Sequence, residues 1–155
     1  MNLKSRLDRI LSSALILILA LMVLNVLWQV FSRYILQTPS SFTDELSRYL
    51  MIWIGILGAA YVSGMNAHVR IDVFVSRLSK GMQKKIQLMV RLAIAFFSLV
   101  VLIIGGSRLV YISFILGQKS PALQIPLAYV YLVLPLSGCI IIIYKSLEHF
   151  NQKLN

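Results

Sequence analysis

An all-α integral membrane fold, with four transmembrane helices forming one domain over residues 1–155, is predicted by three features of the sequence. The first is composition: 59% of the residues are hydrophobic and only 13% charged, where a soluble domain carries about 25% charge. Too few polar side chains remain to cover a water-facing globule. The second is four apolar runs, at about residues 10–31, 46–63, 86–106 and 127–147, each near the roughly 17–25 residues that cross a bilayer. The third is where the bases lie. A net charge of +10, from 15 basic and 5 acidic residues, would raise nucleic acid as a partner for a soluble chain. Here the bases sit at the ends of apolar runs, where they set orientation and meet anionic membrane lipid. Lipid is therefore the expected partner and nucleic acid is not.

The first run, Ile10 to Phe31, carries no charge and follows Lys4, Arg6 and Arg9. It passes into Trp28, Gln29 and Arg33 rather than a small-residue cleavage site, so a retained helix is expected instead of a cleaved signal peptide. Asn25, Gln29 and Arg33 recur every four residues and share one helical face. Polar groups in a bilayer face other helices, so this stripe is expected to bind helix 1 to a neighbour. A connector with Pro39 leads to Ser41-Phe42-Thr43-Asp44, which has capping-box spacing. Asp44 and Glu45 then sit where a helix N-terminus favours negative charge. Arg33 ends helix 1 where these acids open helix 2, so an ion pair between Arg33 and Asp44 or Glu45 is expected. Arg48, four residues after Asp44, offers an intrahelical alternative.

Within the second run, Gly55, Ala59 and Ser63 repeat every four residues. Such a small-residue face lets a neighbouring helix approach closely. Trp53 lies more than two turns in and is expected to pack against protein. From Gly64 to Lys85 the chain is polar and basic, and it carries His68 and Asp72. Ile71, Phe74, Val75, Leu78 and Met82 keep helical spacing there, which predicts a short amphipathic interfacial helix between helices 2 and 3. The third run continues to Gly117, a length of 32 residues. A straight helix of that length is about 48 Å long against a core of about 30 Å, so it must tilt, break at Gly105-Gly106, or protrude. Pro135 is expected to kink the fourth helix. Counting bases puts ten on the side of the termini and the central segment and four on the other. The positive-inside rule then places both termini in the cytoplasm.

Catalytic chemistry is not expected. No carboxylate falls deep within a predicted span, so a self-sufficient proton-coupled exporter would lack an ionisable group in its path. His68 and His149 lie outside the spans, which counts against a membrane anchor that holds haem for a redox enzyme. No metal or other cofactor site is predicted: His68 has only Asp72 at ligand spacing, and no Ser/His/Asp set can be assembled. The self-sufficient four-helix transporter and the redox-enzyme anchor remain the alternatives to an accessory subunit that works through a larger partner.

Asp44-Glu45, Tyr49, Trp53, Gly58-Ala59-Ala60 and His68-Val69-Arg70-Ile71-Asp72, with Ser120 to Pro126 and Pro135-Leu136-Ser137-Gly138, together resemble the small, DctQ-like membrane subunit of the tripartite ATP-independent periplasmic (TRAP) transporters. Phe42, near a position where many members carry Trp, and Asp44 in place of a first Glu are mild departures. The resemblance implies a scaffold that braces a large polytopic membrane subunit in a bacterial inner membrane and helps dock a periplasmic solute-binding protein. It also implies sodium-driven import of an organic acid, of the sialic acid, keto acid or dicarboxylate class, with the substrate chosen by the other two subunits. On this reading Arg33, Asp44, Glu45, Arg48, Trp53, Gly55, Ala59, His68 and Asp72 are the candidate interface or structural residues.

Overall fold

The structure, a computed structural model, describes residues 3–38, 40–65 and 80–154. The chain is helical nearly throughout: α1 is Leu3–Tyr34, α2 Ser41–Gly64, α3 Lys80–Phe97, α4 Gly106–Ile115, α5 Leu127–Tyr131 and α6 Val133–Leu154. A π-helical segment, Ser98–Gly105, joins α3 to α4 without a break. Among the described residues, four stretches are long and apolar enough to cross a membrane: Lys4–Tyr34, Ser41–Gly64, Gly81–Ile115 and Leu127–Leu147. They contain the four expected spans and extend past most of their ends. The expected amphipathic helix, with His68 and Asp72, lies outside the described residues apart from Met82, which belongs to α3.

The fourth span is the central one: 39% of its most apolar window is buried, against 11%, 11% and 6% for the first three. The second and third spans pack on either side of it, and α1 packs chiefly along α2. Leu11, Leu57, Val133 and Tyr144 form the buried core where the first, second and fourth spans meet. Elsewhere the spans present large apolar side chains outward, among them Ile16, Leu24, Met89 and Phe96.

Three glycines decide how closely the spans approach. A Cβ at Gly64 would lie 2.6 Å from the ring of Tyr144, and one at Gly106 would lie 2.8 Å from Leu134 Cβ and 3.0 Å from Pro135 Cδ. At Gly138 it would meet Ile103 Cγ1 at 2.8 Å, Leu102 Cβ at 2.9 Å and the Ser98 carbonyl at 3.1 Å. Only a residue without a side chain fits such contacts, and close approach supplies the dispersion that holds helices together where lipid is as apolar as leucine. Buried Ser98 and Ser137 serve the same packing, because each returns its hydroxyl to its own helix, on the carbonyls of Ile94 and Leu134, both at 2.8 Å.

Two expectations about helix shape change. Gly105-Gly106 does not break the third span. Both residues keep right-handed helical angles, and Gly106 serves instead as the seat for Pro135. At 35 residues the span Gly81–Ile115 is about 50 Å long, well over the membrane core. It stops in a Schellman-type turn: Gly117 takes φ +59 and the Gln118 N–H reaches the Ser113 carbonyl at 3.1 Å. The fourth helix is interrupted at Leu132, between α5 and α6, rather than at Pro135 itself. Pro135 has no N–H to give Tyr131 four residues back, and its ring crowds that carbonyl, so the irregularity falls one turn earlier.

Candidate functional site at the loop end

An even number of spans puts both termini at one end of the molecule. There the Tyr144 hydroxyl donates to Asp8 at 2.6 Å and Lys145 Nζ donates to the Ser63 carbonyl at 3.1 Å. The opposite end, where α1 turns into α2 and α4 into α5, carries Arg33, Asp44, Glu45 and Arg48.

The polar stripe on α1 meets α2 as expected. Asn25 Nδ2 donates to the Thr43 carbonyl at 2.8 Å and to Ser47 Oγ at 2.7 Å. Gln29 Nε2 donates to Asp44 Oδ1. An amide inside a membrane must find acceptors within the protein, and the first turn of α2 supplies them. The cap itself differs from the expected box. Ser40, not Ser41, is the N-cap residue, and its side chain makes no capping bond. Thr43 instead returns Oγ1 to the Ser40 carbonyl at 2.7 Å and lies 2.8 Å from Ser40 Oγ.

The two acids take different partners, and neither takes the expected one. Among the described residues, no ion pair joins Arg33 to Asp44 or Glu45. Arg33 and Asp44 line the same small cavity of about 210 Å³ with Gln29 and Ser40, and Gln29 is what reaches the Asp44 carboxylate. Glu45 turns the other way. Its Oε2 accepts the Ser120 hydroxyl at 2.6 Å, the Ala122 N–H at 3.0 Å and the Leu123 N–H at 2.9 Å. The carboxylate thus closes on the loop between the third and fourth spans, which is already tightened by Ser120 N–H to Ile125 O and Leu127 N–H to Gln118 O, both 2.9 Å. Two adjacent N–H groups and a hydroxyl converging on one oxygen is an anion nest filled from within the chain.

Trp53 packs against protein, as expected. Its Nε1–H donates to the Val130 carbonyl at 3.1 Å, tying α2 to α5. Arg48 is exposed one turn beyond Glu45. Of the small-residue face, Gly55 and Ala59 are exposed and nothing lies within 4 Å of a Cβ built on Gly55, while Ser63 at its end receives Lys145 on its carbonyl. The glycines at the close helix contacts, Gly64, Gly106 and Gly138, stand outside that spacing. Ser120 was legible only as part of the Ser120–Pro126 resemblance, and Gly138 only as part of Pro135–Gly138. Asp8 and Tyr144 carry no signal, because a tyrosine in an apolar run reads as membrane-interface packing. Among the described residues, no three His, Cys, Asp or Glu side chains gather to hold a metal.

Four apolar spans, tied to one another by Asn25, Trp53 and Glu45, define an integral membrane protein of the helical class. The family model described as "Tripartite ATP-independent periplasmic transporters, DctQ component" matches residues 9–153, and the chain belongs to that family. It is therefore a transporter component and not an enzyme. A putative TRAP transporter small permease protein of Haemophilus influenzae is 44% identical over 61 residues, 39% of this chain and 38% of that one. The isethionate TRAP transporter permease protein DctMQ of Oleidesulfovibrio alaskensis is 31% identical over 96 residues, 61% of this chain and 15% of that one. The C4-dicarboxylate TRAP transporter small permease protein DctQ of Rhodobacter capsulatus is 30% identical over 95 residues, 61% and 41% of the two chains. The matched stretches thus span less than half the length of each of these relatives.

Proposed function

We propose that this chain is the bracing subunit of a sodium-coupled importer of an organic acid, acting with a large polytopic membrane subunit and a periplasmic solute-binding protein. The observation that carries this reading is how the polar groups of the spans are used. Asn25, Gln29 and Trp53 each hold one helix to another, so none of these three is left to line a substrate path. A chain that spends its polar side chains on rigidity supports transport rather than performs it. The much longer relative named DctMQ, of which this chain matches 15%, supports a role beside a larger membrane body. The names of the isethionate and C4-dicarboxylate relatives support a small organic anion as cargo. His68 and Asp72, in the basic stretch between the second and third spans, together with the exposed Gly55 and Ala59, are candidate contacts to the large subunit.

Reconstitution tests this. The chain alone in liposomes, given a sodium gradient and labelled organic acids, should accumulate nothing. Uptake should require the large subunit and fall sharply when this chain is omitted. Uptake by the chain alone would sink the bracing role.

Inner-membrane residence with both termini in the cytoplasm rests on the ten-to-four distribution of bases. With Cys139 changed to Ser, single cysteines at Ser5, Ser79 and Lys119 separate the two sides. An impermeant thiol reagent applied to intact cells should label only Lys119→Cys, which sits exposed in the loop that Glu45 holds. Labelling at Ser5→Cys would reverse the orientation.

A further inference from the structure

Arg108 stands on α4, within the third span Gly81–Ile115. It is exposed, and among the described residues it has no hydrogen-bond or ion-pair partner. The two acids at this end are committed elsewhere, Asp44 to Gln29 and Glu45 to the Ser120 loop. Gly106 faces the fourth span, where a Cβ on it would meet Leu134 and Pro135. Two residues further on, at about 100° each, Arg108 points to the opposite side of the helix. Ile104, Tyr111, Ile112 and Ile115 share that side and are exposed with it, so the charge stands alone within an apolar face.

Its depth follows from the fourth span, whose 21 residues measure about 31 Å, one membrane core. Leu134 comes seven residues after Leu127, the loop end of that span, or about 10 Å inside it. Gly106 is level with Leu134 and Pro135, and Arg108 is about 3 Å nearer the surface, which leaves its backbone about 8 Å inside the hydrocarbon. Direction adds to depth. The Cα–Cβ bond of a helical residue tilts toward the helix N-terminus, and the third span rises from the terminal end. The Arg108 side chain therefore leans toward the membrane centre and away from the nearer headgroups. An ionised side chain at such a place faces protein or a water-filled cavity and pairs there. We propose that a transmembrane segment of the large membrane subunit covers this face of the third span and sets a carboxylate against Arg108; this rests on the bracing role proposed above. A carboxylate meets the planar guanidinium through two parallel N–H bonds, and the apolar side chains around Arg108 pack against the same segment.

In cells that hold the whole transporter, the tagged chain is purified in mild detergent. The large subunit that comes with it is identified by peptide mass spectrometry and quantified. Arg108→Leu is the informative variant: leucine suits lipid better than arginine does, but it leaves a partner's carboxylate buried and unpaired. Capture of the large subunit should fall roughly tenfold or more in Arg108→Leu and in Arg108→Glu, and Arg108→Lys should keep most of it. The isolated Arg108→Leu chain should melt no lower than the wild type, because Arg108 holds nothing within the described residues. In the otherwise unaltered transporter, a photoreactive benzoylphenylalanine at Tyr111 should give an adduct with the large subunit. Unchanged capture in Arg108→Leu, or an adduct at Tyr111 with lipid alone, overturns the proposal and leaves the bracing role standing. A wild-type chain that captures no large subunit overturns the bracing role, and this proposal with it.

Discussion

Gly138→Leu should detach the third span from the fourth. Even the first added carbon meets Leu102 and Ile103 below 3 Å and the Ser98 backbone carbonyl at 3.1 Å. A side chain tip can move aside, but a carbonyl within a continuous helix cannot move alone. Relief requires the π segment Ser98–Gly105 to shift away from α6, which also unseats Gly106 from Leu134 and Pro135. Overpacking of this kind costs on the order of 3 kcal/mol. The measurement is thermal unfolding in detergent, followed by loss of the monodisperse peak. Gly55→Leu is the control. Its Cβ has nothing within 4 Å, so the isolated chain should melt as the wild type does. If both variants melt alike, the close approach of α6 to the π segment is not what holds these spans together.

Glu45→Ala should release the loop between the third and fourth spans. The carboxylate is the acceptor for one hydroxyl and two backbone N–H groups, and bonds to an ionised acceptor are roughly twice as strong as neutral ones. The Leu123 N–H keeps a second acceptor in Ser120 Oγ at 3.1 Å, whereas the Ala122 N–H has no acceptor but Glu45 among the described residues. Losing that acceptor leaves the Ala122 N–H to water, so amide exchange at Ala122 should quicken, by roughly severalfold. Ser120→Ala removes one of the three bonds and should quicken it less. If the two substitutions act through the same nest, the double variant should lose less than the sum of the singles. Unchanged exchange at Ala122 in Glu45→Ala would mean that water holds the loop equally well. Because Arg33 takes no part in this contact, reversing charges at both Arg33 and Glu45 should recover nothing.

The expected pairing of Arg33 with an acid rested on a sound inference about place. Helix 1 ends where helix 2 begins, so Arg33, Asp44 and Glu45 do gather at one end of the molecule, and Arg33 and Asp44 line one cavity. The inference could not reach the partner, because the side chains one residue apart on a helix point about 100° away from each other. Asp44 therefore faces α1 and Glu45 faces the distant loop. That loop lies 75 residues away in the chain for Ser120, so no local spacing announces the contact.

Several features followed from local physics alone. An apolar run of about 20 residues with at most one charge crosses a bilayer as a helix, because each backbone N–H and C=O is then satisfied within the segment. That requirement made the four spans legible, and an amide every fourth residue made the α1 stripe legible as a contact face. The tertiary structure decided which faces meet. Gly55/Ala59/Ser63 and Gly64/Gly106/Gly138 are all small residues, and in a membrane there is no water to penalise the face left outside. Only the shapes of the opposing helices separate them. Tyr144 over Gly64, Pro135 over Gly106 and the π segment against Gly138 place the fourth span at the centre, and that choice leaves Ala59 on the wall of an open groove.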